Sequence, residues 1–220
     1  MKFVVTAGPT REFIDPVRFL SNPSTGRMGF AVACAARAAG HDVTLIAGPV
    51  SLKTPPGVRR VDVVSARDML KAVRAELEMP RSRAATGQIV LVMTAAVADW
   101  RPVHCASRKL KKTEMSDTLH LVRNPDILKT INRQMNLIRI GFAAETGAPA
   151  AEAARKCREK GLDLVVGNDV TEPGSGFGTD TNRVTFVTPD GNVQRLPLMS
   201  KLAVARRIVS FAERRAKGKE

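Results

Sequence analysis

The sequence contains few of the side chains that most metal and nucleophilic sites require. Its three cysteines, Cys34, Cys105 and Cys157, are widely spaced and odd in number. A disulfide framework and a zinc site are therefore not expected, and a reducing compartment fits this pattern. The three histidines show neither metal-ligand spacing nor a nucleophile–base pattern. A catalytic triad is therefore not predicted either.

Long hydrophobic runs are also missing. No stretch of about 18 consecutive apolar residues occurs, so no membrane-spanning helix is predicted. The first residues do not form the charged, apolar and small-residue regions of a signal peptide. We therefore expect a cytoplasmic protein without a membrane partner.

Aromatic residues are scarce, whereas positive charge is abundant. The chain has one Trp, no Tyr and eight Phe, and its formal net charge is +14. The basic excess has two readings, which are binding of nucleic acid and steering of a small anionic substrate into a basic cleft. Few aromatics argue against a stacking platform for single strands. Much of the excess lies in the last predicted helix and in a basic tail at about residues 212–220. A small anion is therefore favoured over nucleic acid.

Apolar periodicity divides the chain into alternating strands and helices. Strands are predicted at residues 2–6, 42–47, 60–64, 88–94, 137–142 and 162–167. Helices are predicted at residues 26–39, from a capping box at 65–68 onward, from 124 onward, at 149–160 and at 200–217. For the helix that begins at residue 124, Asn124 is the expected cap and Pro125 the first helical residue.

The order of these elements predicts the fold class. Alternation of strand and helix is typical of an α/β protein with a mostly parallel, open, Rossmann-like sheet and helices on both faces. The very hydrophobic segment 88–94 is expected to be a central strand. Turn residues at 189–191, flanked by strand-like segments 183–187 and 193–197, predict a late antiparallel hairpin. With 44% hydrophobic residues, one packed domain over residues 1–220 is expected.

The first strand-to-helix connection is the leading candidate for a binding site. Gly8 ends the strand, residues 9–25 form a long loop, and Ser24, Gly26 and Gly29 lead into the helix. In an open α/β sheet, ligands bind at the carboxyl ends of strands near helix N-termini. Neither a Walker A motif nor G-x-G-x-x-G is present. The glycines therefore indicate either a phosphate site or close packing of helix on strand.

Four further segments carry candidate ligand contacts at the ends of predicted strands or on nearby elements. Asp99 follows the central strand, where a ligand contact, a metal contact and a plain salt bridge are all open readings. Lys109 lies in a basic stretch that either binds phosphate or is simply solvated. Phe142 is predicted either to pack on a nucleotide base or to fill the core. Lys156 and Lys160 are predicted on one helix face, where they either reach phosphates together or are simply exposed.

Taken together and in order, these segments closely resemble the phosphopantothenate–cysteine ligase (phosphopantothenoylcysteine synthetase) family over essentially the whole chain. The segments that carry the resemblance are TAGPTRE (6–12), DPVRFLSN (15–22), STGRMG (24–29), AAVAD (95–99), KLKK (109–112), NPDI (124–127), GFAAET (141–146) and ND (168–169). In many bacteria this domain follows a flavin-dependent decarboxylase. No such segment occurs in the sequence, so the resemblance implies a stand-alone synthetase without flavin.

The resemblance implies a ligase of coenzyme A biosynthesis. In this family the 4′-phosphopantothenate carboxylate attacks the α-phosphate of a nucleoside triphosphate, which releases pyrophosphate and leaves an acyl-nucleotidylate. The amine of L-cysteine then attacks the acyl carbon and displaces the nucleoside monophosphate. Such chemistry depends on positioning and charge neutralisation rather than on an enzyme nucleophile.

The resemblance also assigns residue roles. Asn22 and Lys109 are implied as catalytic, Asn22 at the acyl-nucleotidylate and Lys109 in a flap over the site. The substrate is implied to contact Asn22, Ala95, Ala96 and Asp99. The implied nucleotide contacts are Gly8, Ser24, Gly26, Gly29, Met93, Thr94, Ala95, Asp99, Lys109, Pro125, Asp126, Ile127, Leu128, Phe142, Lys156, Lys160 and Asn168.

The family further implies a homodimer and Mg²⁺ carried on the triphosphate, with no protein ligand for the metal assigned. CTP is the favoured nucleotide and ATP the alternative. The sequence departs from the commoner bacterial pattern at Arg27, where Lys is usual, and at Trp100, where Tyr is usual. Two other readings remain, an inactive nucleotide-binding or scaffold homologue and a basic nucleic-acid-binding domain.

Overall fold

The structure is a computed structural model that describes residues 1–78, 87–114, 116–132, 134–145, 149–169 and 171–218. The predicted loop at residues 79–87 lies outside the described residues except for Gly87, as do Thr146 of the GFAAET segment and the last two residues of the basic tail. The helices are α1 (Arg27–Ala38), α2 (Ala66–Glu78), α3 (Ile127–Thr130), α4 (Pro149–Lys160) and α5 (Lys201–Ala216).

Fourteen strands are present in the described residues. They are β1 (Lys2–Ala7), β2 (Arg11–Phe13), β3 (Phe19–Ser21), β4 (Asp42–Ala47), β5 (Arg59–Asp62), β6 (Ile89–Met93), β7 (Trp100–Pro102), β8 (Leu121–Arg123), β9 (Leu137–Glu145), β10 (Leu164–Asp169), β11 (Thr181–Asn182), β12 (Thr185–Val187), β13 (Val193–Arg195) and β14 (Met199–Ser200).

Eight of these strands form one sheet in the order β13-β12-β10-β9-β6-β1-β4-β5. The six strands from β10 to β5 run parallel to one another. β12 and β13 are antiparallel and form one edge. The predicted α/β fold is therefore confirmed. β6 lies inside the sheet between β9 and β1, and β12 and β13 form the predicted late antiparallel hairpin.

Alternating side chains of β1 show how the sheet is covered. Phe3, Val5 and Ala7 are fully buried and belong to the hydrophobic core that also contains α1 and α5. Val4 points to the other core, which contains residues of α2, α3 and α4. Burial on both faces explains why the parallel strands read as continuous apolar runs. Among the described residues, no helix is long and apolar enough to cross a membrane.

Several helix boundaries agree with the sequence signals. Ser65 and Asp68 form the predicted capping box, with the Asp68 amide donating to Ser65 Oγ at 3.2 Å and the Ser65 amide to the Asp68 carboxylate at 2.9 Å. Ser200 caps α5 by accepting from the Ala203 amide at 3.2 Å.

The start of α3 differs from the prediction. Asp126, not Asn124, is the N-cap, and its carboxylate accepts from the Lys129 amide. Asn124 instead donates from its side chain to the Ala98 carbonyl at 2.9 Å. Its side chain is therefore engaged in a tertiary hydrogen bond and does not cap the helix. The helix is also a single turn, Ile127–Thr130.

Three short antiparallel pairs were not foreseen. The predicted loop at residues 9–25 contains the hairpin β2–β3, and β7 pairs with β8 and β11 with β14. Each strand is only two or three residues long. Segments this short show no usable alternation, and their partners are up to about twenty residues away in the chain.

Gly29 lies where the backbone of α1 packs directly against β1. A Cβ at this position would lie 2.5 Å from the Ala7 Cβ and 2.8 Å from the Thr6 carbonyl oxygen. Real Cβ atoms do not approach other atoms this closely. Close packing is therefore sufficient to explain this glycine, whichever ligand the neighbouring loop binds.

We expect Gly29→Ala to lower the free energy of unfolding by about 1–3 kcal/mol, because the added methyl group overpacks the contact between helix and strand. Chemical denaturation measures the change. Cys34→Ala, an exposed position on the same helix, is the control and should shift stability by less than about 0.5 kcal/mol. Wild-type stability in the Gly29 variant would contradict the packing argument.

Candidate functional site

A cleft opens at the carboxyl ends of the parallel strands, beside the start of α1. It is bounded by the first turn of α1, by the segment after β6, and by the ends of β9 and β10. The lining residues are Ser24, Thr25, Gly26, Arg27, Met28, Gly29, Thr94, Ala95, Ala96, Phe142, Ala144, Asn168, Gly176, Phe177, Asn182 and Lys201. This is the position at which open α/β sheets bind ligands.

The start of α1 gives the cleft an anion-binding wall. Gly26 is the N-cap, with φ of +78° in the left-handed region that favours glycine. No side chain caps this helix. The N–H groups of its first turn have no partner within the helix, and the helix dipole adds positive potential at the same point. A phosphate or carboxylate is the ligand that such a wall favours.

The loops after β1 and β6 are joined by hydrogen bonds. The Thr10 amide donates to the Ala96 carbonyl at 3.3 Å, and the Ala96 amide donates to the Gly8 carbonyl at 2.9 Å. Thr10 Oγ1 accepts from the Ala98 amide at 2.9 Å. The two loops therefore form one rigid unit that fixes the floor of the cleft.

Asn22 joins this unit from the far end of the first loop. Its side-chain amide donates to the carbonyls of Ala96 at 3.2 Å and Val97 at 3.4 Å. Asn22 is exposed and is not among the lining residues, but these bonds place it beside the Ala95–Ala96 wall. The structure thus brings the implied acyl-nucleotidylate residue next to the implied substrate contacts.

Asp15 connects the first loop to the basic segment that contains Lys109. Its carboxylate is fully buried and accepts from the amides of Val17 at 2.9 Å, Arg18 at 2.8 Å and Leu110 at 3.2 Å. The Arg18 guanidinium pairs with the same carboxylate and holds its pKa well below the usual range. Lys109 itself is exposed and does not line the cleft. The bond to Asp15 fixes the backbone of the next residue, Leu110, and not the side chain of Lys109.

The residues predicted on α3 and α4 lie beside the cleft rather than in its wall. Lys160 pairs with Asp126 at 2.9 Å. Burial raises the pKa of the Asp126 carboxyl, but the Lys160 ammonium together with the backbone amide and charge of Lys129 lowers it overall. Lys156 pairs with Glu152 at 3.7 Å. A triphosphate would have to compete with these carboxylates for both lysines.

The remaining implied contacts divide into core and surface positions. Ile127, Leu128 and Met93 are buried in the core, so any ligand contact they make would use the backbone. Pro125 lies in the short segment between β8 and α3 and, like these three, does not line the cleft. Asp99 is exposed.

Residues at the ends of β9 and β10 offer further contacts. Asn168 is 7% exposed, lines the cleft, and its side chain has no hydrogen-bond partner among the described residues. Phe142 lines the cleft beside it and is half-buried. Among the described residues, no group of three or more His, Cys, Asp or Glu side chains could hold a metal ion.

The sequence reasoning missed one whole wall of the cleft. Gly176, Phe177, Asn182 and Lys201 line it from the segment after β10 and from the start of α5. Two signals were available. Glycines recur at every second residue in GSGFGT (174–179), just after a strand, and Lys201 puts a cation in the first turn of a helix, where the dipole disfavours it.

The family model described as "DNA/pantothenate metabolism flavoprotein C-terminal domain" matches residues 1–214. Two similar curated relatives are both named "Coenzyme A biosynthesis bifunctional protein CoaBC". The Vibrio vulnificus (strain YJ016) protein is 44% identical over 94% of this chain and 50% of its own length. The Bacillus subtilis (strain 168) protein is 47% identical over 92% of this chain and 48% of its own length.

A solved structure also matches over nearly the full length of the chain. The crystal structure of the C-terminal domain of a Coenzyme A biosynthesis bifunctional protein CoaBC superposes with a TM-score of 0.80 and 38% identity. The match covers 99% of this chain and 96% of that one. The chain spans about half the length of the curated relatives named above.

We expect Asp15→Asn to release the segment around Leu110 and to destabilise the protein at neutral pH. A carboxyl whose pKa is lowered by folding stabilises the folded protein at pH values above its ordinary pKa of 3.8. That contribution is lost as the pH falls towards the pKa of the folded state. Denaturation midpoints of wild type and variant should therefore differ at pH 7 and converge progressively below about pH 4.

Amide exchange gives a second readout of the same substitution, because the Leu110 N–H loses a charged acceptor. Its exchange should accelerate in Asp15→Asn. The control is Asp117→Asn, an exposed carboxylate in the same part of the chain, which should leave that amide unchanged. Equal midpoints at every pH would refute the role assigned to Asp15.

Proposed function

The chain belongs to the family of the DNA/pantothenate metabolism flavoprotein C-terminal domain, and on this basis we propose that it is a phosphopantothenate–cysteine ligase. The reaction joins 4′-phosphopantothenate and L-cysteine and cleaves a nucleoside triphosphate to the monophosphate and pyrophosphate. Residues 1–220 are proposed to form one synthetase domain that acts in the cytoplasm. The names of the CoaBC relatives place them in coenzyme A biosynthesis, which supports this assignment.

One observation carries the proposal. The anion-favouring start of α1, the Thr94–Ala96 segment and the ends of β9 and β10 converge on one cleft, with Asn22 hydrogen-bonded to its wall. These elements come from four separate parts of the chain. A cleft of this kind can hold a triphosphate and place a carboxylate substrate beside its α-phosphate.

The residues act by position and charge. The first-turn amides of α1 are suited to hold phosphate oxygens while the substrate carboxylate attacks the α-phosphate and pyrophosphate leaves. Asn22 is suited to orient the acyl-nucleotidylate through its amide, because an amide has no basic site for proton abstraction. The cysteine amine then attacks the acyl carbon, and the nucleoside monophosphate leaves.

Mg²⁺ supplies charge neutralisation on a triphosphate when it is bound. The described residues offer it no cluster of three or more acidic or imidazole ligands, which fits an ion carried mainly by the nucleotide. Exposed Asp99 is the candidate for a single protein contact. CTP is proposed as the nucleotide and ATP as the alternative, with Arg27 the departure nearest to the phosphates.

A homodimer is proposed through the β7–β8 ribbon. Exposed apolar side chains concentrate on and beside this two-stranded ribbon, among them Trp100, Val103, Leu121 and Val122 at 37–48% exposure. An isolated two-stranded ribbon is marginally stable, and an exposed apolar patch on it marks an interaction surface. A second copy of the same ribbon would cover both.

The activity is tested by incubating the protein with 4′-phosphopantothenate, L-cysteine, Mg²⁺ and either CTP or ATP. We expect release of one pyrophosphate per amide formed, with CTP the better substrate. No pyrophosphate with either nucleotide would refute the ligase assignment. Binding of nucleotide without turnover would instead favour the inactive homologue.

We expect Asn22→Ala to reduce kcat on the order of 100-fold, because the amide that orients the intermediate is removed. Rapid quench should detect an acyl-nucleotidylate that is consumed slowly by cysteine. Asn192→Ala, in the turn between β12 and β13, makes the same change far from the cleft and should retain wild-type kcat. Wild-type turnover in the Asn22 variant would remove this residue from its proposed role.

We expect Leu121→Lys to convert the dimer to a monomer, because it places a charge in the apolar surface of the ribbon. Light scattering coupled to gel filtration measures the mass. The matched control is Leu198→Lys, which has the same 42% exposure on a different surface. The ribbon proposal fails if the wild type is a monomer or if the Leu121 variant keeps twice the chain mass.

A further inference from the structure

A lysine is buried at the edge of the proposed nucleotide cleft. Lys201 is the first residue of α5, is 7% exposed and lines the cleft. Its ammonium donates to the Gly176 carbonyl at 2.9 Å, to Thr179 Oγ1 at 3.2 Å and to the Thr179 carbonyl. All three acceptors belong to the glycine loop, defined here as residues 174–180.

The glycine loop forms a cleft wall only in a particular backbone shape. Gly174, Gly176 and Gly178 all have φ between +76° and +88°, which L side chains rarely adopt. Asn182 accepts from Ser175 Oγ at 2.6 Å through its side-chain oxygen and thereby fixes the other side of the loop. Lys201 thus fixes the glycine loop, and this loop contributes Gly176 and Phe177 to the cleft wall.

The charge of Lys201 is only partly balanced by the protein. Among the described residues, no carboxylate forms an ion pair with its ammonium. The charged groups that act on Lys201 are Arg27 and Asp180, and these two residues are paired with each other. Burial lowers the pKa of Lys201 and the charge of Arg27 lowers it further, whereas the charge of Asp180 opposes them.

A buried ammonium without a counter-charge is costly, and the start of a helix makes it less favourable still. A neutral side chain would tie the loop without that cost. An anion in the cleft would supply negative charge, and both Lys201 and Arg27 line the cleft in which a polyphosphate held at the start of α1 would lie.

We propose that Lys201 is a positioning residue for the polyphosphate of the nucleoside triphosphate. It holds the glycine loop as the wall opposite α1 and contributes a positive charge that the bound polyphosphate neutralises. This inference rests on the proposed function of the cleft. It predicts that the charge of Lys201 affects triphosphate binding more than binding of the monophosphate.

The first test is Lys201→Gln, with binding of CTP and CMP measured by calorimetry. CTP affinity should fall about tenfold or more, which corresponds to about 1.4 kcal/mol, and CMP affinity should fall much less. Lys201→Arg, which keeps the charge, should recover most of the difference between the two ligands. The steady-state KM for CTP should rise while the KM for 4′-phosphopantothenate stays within about twofold.

The second test uses an exposed residue and does not risk misfolding. Asp180 is 85% exposed, and Asp180→Asn removes a negative charge that acts on Lys201 and releases Arg27 from its ion pair. We expect CTP and inorganic tripolyphosphate to bind about threefold more tightly, with CMP little changed. Arg206→Gln on α5 and Asp62→Asn on β5 are the charge-matched controls, and neither should alter nucleotide binding.

Three results would overturn the inference while leaving the ligase assignment intact. They are equal losses of CTP and CMP affinity in a folded Lys201→Gln protein, no loss of either, and unchanged CTP binding in Asp180→Asn. Failure of the wild type to release pyrophosphate would instead refute the proposed function itself.

Discussion

The cleft depends on the hydrogen bonds that join the loop after β1 to the loop after β6. Thr10 bonds to this second loop through its amide and its hydroxyl, and Asn22 bonds to it through its side chain. Because β1 and β6 are adjacent and parallel, their carboxyl ends emerge side by side, and these bonds convert two connections into one surface. They add to the bonds from Thr94 and Ala95 to Thr6 that hold the start of the second loop against β1.

Electrostatic asymmetry follows from the same arrangement. The uncapped start of α1, Arg27 and buried Lys201 surround one end of the cleft, whereas the Asp126–Lys160 pair lies at the α3–α4 side. Concentrated positive potential suits a polyphosphate far better than a neutral ligand. The net charge of +14 therefore has a local counterpart at the cleft, although most of it is spread over exposed positions.

Sequence patterns predicted the parts of the site that depend on local signals. The glycines and Ser24 before α1, and the small residues after β6, follow recognisable strands, and parallel topology brings strand ends together. Lys201 could not be placed in this way. Its side chain meets the glycine loop more than twenty residues away, and periodicity carries no information about contacts at that separation. Asn124 was misassigned as a helix cap for a related reason, since its side chain bonds to Ala98 across the chain.

The sequence by itself determined the alternation of strand and helix, the family resemblance and the candidate binding loop before α1, because these rest on short-range periodicity and on contiguous motifs. Only the tertiary structure decided which of the candidate residues share the cleft. It also decided that Gly29 is constrained by the packing of α1 against β1, and that Lys201 of the last helix bonds to the glycine loop and lines the cleft. Such decisions depend on burial and on distances between remote segments, and these exist only after the chain has folded.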